Sequence, residues 1–170
     1  MLQAQGLAED FTKHVVGCPS GIIVCSGRAA VEAWFKVELA YLLLRSGRFN
    51  SVWLDFNYPG TGGKADLAAE APGRLIVFEL KCFVQGADST KMKKWPAQLE
   101  RLLHLVQSGE AAQGVALATY FGYPEKKTGE LVTKSYAPPW SYAGPLKFYE
   151  DKPLQLVVAT FSKVDHESTA

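Results

Sequence analysis

Apolar residues recur at helical spacing early in the chain, alternate as in strands after residue 50, and return to helical spacing near residue 90. Leu7, Phe11 and Val15 lie four residues apart and predict a short amphipathic helix ending near Gly17. Residues 21–25 read as a brief strand. Ser26 and Gly27 suit the cap of a longer helix over about 28–45, whose apolar stripe holds Val31, Trp34, Phe35, Leu39 and Leu42 and which Gly47 ends. Val52, Leu54 and Phe56 then alternate with Trp53, Asp55 and Asn57. Turns at 59–63 and 71–74 set off two further strands, 64–70 and 75–83, giving a three-stranded meander.

Asp88 or Ser89 opens a second long helix to about residue 108, with Met92, Trp95, Leu99, Leu102, Leu103 and Val106 on its stripe. Pro96 falls inside this stretch and is expected to delay the regular helix until Lys94 or Trp95. Residues 115–121 and 154–161 read as buried strands, 122–152 as a long loop rich in Tyr, Pro and Lys, and 163–170 as a solvated tail. This order predicts an α/β fold with a central mixed β-sheet flanked by helices.

Composition adds bounds. At 170 residues, with 48% hydrophobic and 21% charged residues and no linker-like stretch, the chain is expected to form one domain. No apolar run is long enough to span a bilayer, and no basic start leads into an apolar stretch, so neither a membrane span nor an export signal is expected. Cys18, Cys25 and Cys82 are odd in number and form no C-x-x-C pair, as expected of reduced thiols in a cytoplasmic protein. Cys18 with Cys25 is at most a weak disulfide candidate. His14, His104 and His166 are scattered, so a zinc site of Cys and His is not expected. A net charge of +1 neither demands nor excludes a polyanionic partner.

The chemistry concentrates in the third predicted strand. Glu79 and Lys81 share a face with Leu75, Val77 and Phe83, while Ile76, Phe78, Leu80 and Cys82 form the other. An ionic pair among apolar neighbours is costly unless a metal, a substrate or a fixed partner compensates it. Asp66 precedes it on the neighbouring strand, and Glu38 sits mid-stripe on the first long helix, with Glu32 at the stripe's edge. If that helix covers the face of Glu79, then Glu38, Asp66, Glu79 and Lys81 meet. Metal-assisted hydrolysis of a phosphodiester needs such a set. Asp66 and Glu79 offer hard oxygen ligands to Mg²⁺, with Mn²⁺ able to substitute, and Glu38 can hold a second ion or orient the attacking water. Lys81 can meet that water and the developing negative charge.

Lys64-Ala65-Asp66, then Phe78-Glu79-Leu80-Lys81, behind a helix with an inward Glu38, resembles the core of the PD-(D/E)XK nuclease superfamily, the restriction-endonuclease-like fold. The resemblance covers about residues 28–121. It implies an αβββαβ core, acids that bind divalent metal and a lysine that assists the nucleophilic water. Ala65 stands where the name-giving proline would be, and Gln98 resembles a glutamine that exonuclease-like branches place on the following helix. The implied activity is Mg²⁺-dependent cleavage of DNA by a homodimer or beside a partner protein.

Lys91 and Lys94, with Lys93 and Arg101, form the densest basic stretch and suit phosphate contacts, and Lys64 closes a glycine-rich turn that a nucleic-acid backbone can approach. A solvated helix start explains the lysines equally well. Tyr120, Tyr123, Tyr136, Trp140 and Tyr142, among Lys126, Lys127 and Lys134, suit either base stacking or packing under a long loop. Two rival readings stand beside the nuclease: an inactive nuclease-like domain that binds nucleic acid or a protein, and an enzyme acting on a small phosphorylated substrate under a lid formed by 122–152.

Overall fold

The structure is a computed structural model that describes residues 2–18, 31–58, 63–84, 89–121, 141–149 and 152–162. In chain order the elements are α1 (Ala4–Val16), α2 (Val31–Arg45), β1 (Ser51–Asn57), β2 (Lys64–Ala71), β3 (Arg74–Val84), α3 (Ser89–Ser108), β4 (Gln113–Phe121), β5 (Ser141–Tyr149) and β6 (Lys152–Ser162). All six strands join one sheet in the order β1-β2-β3-β4-β6-β5. The first three form the expected antiparallel meander, α3 carries the chain over to β4 parallel to β3, and β6 and β5 follow antiparallel.

Two apolar layers sandwich the sheet. Leu7, Phe11 and Val15 of α1 and Val31, Phe35, Leu39 and Leu43 of α2 pack on Phe78, Leu80, Cys82, Leu117 and Val158. Trp95, Leu99, Leu102 and Val106 of α3 pack on the opposite face against Val77, Phe83, Ala116, Ala118 and Val157. Period-2 alternation on β3 and four-residue spacing on the helices therefore produce the expected burial. Gly47, at φ +66°, ends α2, and Gly73, at φ +69°, completes the two-residue β2–β3 turn after Pro72. Among the described residues no helix is long and apolar enough to cross a membrane.

Three expectations change. Helix α3 starts at Ser89, with Pro96 inside it, because one lost backbone bond is outweighed by burying Trp95, Leu99 and Leu102. The loop over 122–152 contains β5, whose Gly144-Pro145 breaks the alternation and coincides with a register shift between Ala143 and Leu146. An edge strand tolerates both the bulge and a residue without an N–H. Tyr120 is buried and stacks on Phe83, 4.9 Å between centroids, so it belongs to the core rather than to a base-stacking surface. The strand expected at 21–25, the cap at Ser26 and Gly27, Cys25, most of the turn at 59–63, and Tyr123, Lys126, Lys127, Lys134, Tyr136 and Trp140 lie outside the described residues.

Candidate active site at the parting of β2 and β3

Strands β2 and β3 are paired from Ala71↔Arg74 to Leu67↔Phe78, and the pairing stops there. Beyond Phe78, β3 keeps its parallel partner β4 but loses its neighbour on the other side. Backbone donors on that side need new acceptors. Two carboxylates supply them: Asp66 Oδ2 accepts the Leu80 N–H at 2.8 Å, and Glu32 Oε2 accepts the Cys82 N–H at 3.2 Å.

Asp66 reaches this place because β1 and β2 are distorted together. Leu54 pairs with Leu67 and Phe56 with Ala65, but Asp55 and Asp66 between them form no pair, and Asp55 takes φ +52°. Ala65 packs with the α3 layer and Leu67 with the α2 layer, although in a regular strand residues two apart share a face. The same switch separates Phe56 from Val52. Lys36 of α2 holds the kink, with Nζ 2.8 Å from Asp55 Oδ1 and 3.1 Å from Asp66 Oδ1. Burial pushes Lys36 down, but these two bonds hold its ammonium above the usual lysine range.

Glu79, with no exposed surface, points to the α3 side, where its β4 neighbours, Ala116 and Ala118, are small. The Tyr58 hydroxyl donates a hydrogen bond to Glu79 Oε1, and Gln98 Nε2 donates to Oε2 at 3.3 Å. Burial pushes Glu79 up to about 8; the Asp66 carboxyl, within hydrogen-bonding reach, adds to the rise, while the bond from Tyr58 opposes it. The Tyr58 phenol is pushed well above its ordinary range, by burial first and then by Glu79. Lys81, two residues on, lies past the end of β2 pairing and sets Nζ 3.2 Å from Glu32 Oε1. Tyr58 also borders an open groove of about 350 Å³, lined further by Ala97, Glu100, Arg101, His104 and Leu105.

Of the expected set, Asp66 and Glu79 lie side by side, with Gln98 bonded to Glu79; Lys81 follows on the same strand with its ammonium on Glu32, and Glu38 does not join them. Helix α2 covers the face of Phe78, Leu80 and Cys82, opposite Glu79. On that helix Lys36 is about 40° around from Glu32, whereas Glu38 is about 120° from Glu32 and 160° from Lys36. Glu38 accordingly turns to α1 and His14, and Glu32 is the helix acid at the opening. Lys64 is exposed at the start of β2, Lys94 is exposed on α3, and Lys91 lies in α3 with its side chain outside the description. Sequence reasoning missed Glu32, Lys36 and Tyr58; the four-residue spacing of Glu32 and Lys36 was the available signal.

No family model matches the chain, and no curated protein or solved structure matches it. The neighbouring Asp66 carboxyl disfavours ionisation of Glu79, a repulsion that a bound cation would offset, and hard oxygens suit Mg²⁺. The residues present fit such an ion.

Proposed function

We propose that the chain is a divalent-metal-dependent nuclease that hydrolyses phosphodiester bonds of DNA. The observation that carries this reading is the meeting of Asp66 and Glu79 where β2 and β3 part, with Lys81 two residues further along β3. Asp66 and Glu79 would hold Mg²⁺ or Mn²⁺. Bound there, the cation supplies the positive charge that a phosphodiester and an attacking water both require. Lys81 is the base-side donor, hydrogen-bonding the attacking water and the negative charge that develops on phosphate. Glu32 orients its ammonium, Lys36 orients Asp66, and Tyr58 and Gln98 fix Glu79 in one rotamer. The exposed Lys64, Lys93 and Lys94 suit contacts to the phosphate backbone. Val37, Tyr41 and Leu44 of α2 and Trp53 and Leu54 of β1 are exposed, in keeping with a second copy or a partner protein, which light scattering would reveal.

One feature favours a second reading, a nuclease-like domain that binds nucleic acid or protein without cutting. Glu79 is fully buried and both its oxygens already accept hydrogen bonds. Calorimetric titration with Mn²⁺, on wild type and Asp66→Ala, separates the two. Binding that Asp66→Ala abolishes, together with cutting of circular or linear DNA that Lys81→Ala abolishes, supports the nuclease; absence of both supports the second reading.

A further inference from the structure

His14, Cys18 and Glu38 take no part in the opening between β2 and β3, yet they meet where the end of α1 lies against α2. His14 stands in the last turn of α1, and Cys18 follows its C-cap Gly17 four residues later, so both side chains present the same way. His14 Nε2 is 2.7 Å from Glu38 Oε2, and Cys18 Sγ is 3.5 Å from that oxygen and 3.8 Å from Nε2. Tetrahedral Zn²⁺, with one bond of about 2.3 Å to sulfur and two of about 2.1 Å to nitrogen and oxygen, sets S···N and S···O near about 3.6 Å and N···O near about 3.4 Å. Two of the three observed separations already match to about 0.2 Å, and the third is a hydrogen-bond length that must open by about 0.7 Å when a cation replaces the proton between the two groups.

We infer that His14, Cys18 and Glu38 form a Zn²⁺ site that ties the end of α1 to α2, with water or a further group completing the tetrahedron. The set of imidazole, thiolate and carboxylate selects zinc over magnesium, which separates this site chemically from Asp66 and Glu79. His14 and Glu38 keep 13% and 16% of their side-chain surface exposed, so an ion can enter from solvent. Cys18 is a free thiol. On binding, the Cys18 thiol releases its proton to water, and no oxidation step is involved. The inference holds whether or not the chain cuts DNA.

Co²⁺ and Zn²⁺ titration of the reduced, chelator-treated full chain tests it. One Co²⁺ per chain should give a thiolate-to-cobalt charge-transfer band that Zn²⁺ removes by displacement. Cys18→Ala should abolish the band, Glu38→Gln should weaken Zn²⁺ binding about a hundredfold, the share of one ligand bond, and Asp66→Ala should leave both unchanged. A readout that needs no variant guards against misfolding: iodoacetamide labelling of Cys18, followed by peptide mass spectrometry, should slow with Zn²⁺ and ignore Mg²⁺. Absence of the band, its survival in Cys18→Ala, or Cys18 labelling indifferent to Zn²⁺ would overturn the site.

Discussion

Replacing Glu79 with glutamine should flatten the pH dependence of stability in metal-free protein. In the unfolded chain Glu79 titrates near 4.5, and in the folded protein burial and Asp66 move it to about 8. Between these values the folded state binds one more proton than the unfolded state, so stability is fully present below pH 4.5 and is lost as pH rises toward 8. At about 1.4 kcal/mol per pH unit, that gap makes about 5 kcal/mol the ceiling of the loss, a large share of a typical domain's stability. Glutamine keeps the shape, still accepts from Tyr58, and carries no charge to desolvate. Urea unfolding in EDTA at steps from pH 5 to 8 should show wild type losing several kcal/mol that Glu79→Gln keeps. The variant should then exceed wild type at pH 8, and Mg²⁺ should restore wild type alone. Parallel curves for the two proteins would mean that Glu79 does not take up a proton on folding.

Other outcomes follow from the same geometry. Tyr58→Phe removes a donor to buried Glu79 and should cost about 1–3 kcal/mol by urea unfolding, more at pH 8 than at pH 5, because the lost bond favours the ionised carboxylate. Glu32→Ala should lower DNA cleavage at least about tenfold by freeing Lys81, whereas Glu38→Ala should leave the rate unchanged in the same gel assay. Gly114→Ala would bring a Cβ to 2.8 Å from Leu102 Cγ and 3.2 Å from Val106 Cγ2, so thermal unfolding should show a loss of about 1–3 kcal/mol as α3 is pushed from β4.

Much of this fold is written in local pattern. Strand β3 buries Ile76, Phe78, Leu80 and Cys82 on one side and Val77 and Phe83 on the other, as alternation demands. The acid and lysine within that alternation marked the site without any knowledge of neighbours. Glu32 was hidden because apolar residues surround most of α2: Val37, Tyr41 and Leu44 are exposed while Val31, Phe35 and Leu39 are buried. A stripe that wide does not fix which way the helix is rotated, and the packing of α1 decides it. The switch of faces at Asp55 and Asp66 was hidden for another reason, since it depends on Lys36 bridging two strands from a helix. Likewise His14 counted among scattered histidines because its companions are Cys18, past the end of its own helix, and Glu38 on another. Strand β5 escaped notice because its side of the sheet needs only an edge, where Gly144 and Pro145 are tolerated.

Cleavage of supercoiled DNA by the purified chain, with Mg²⁺ against EDTA and with wild type against Lys81→Ala, decides whether Asp66, Glu79 and Lys81 form a nuclease site. Cutting should need both the cation and Lys81. Metal-independent cutting, cutting that survives Lys81→Ala, or no cutting by a chain that binds no divalent cation at Asp66 and Glu79 would contradict it.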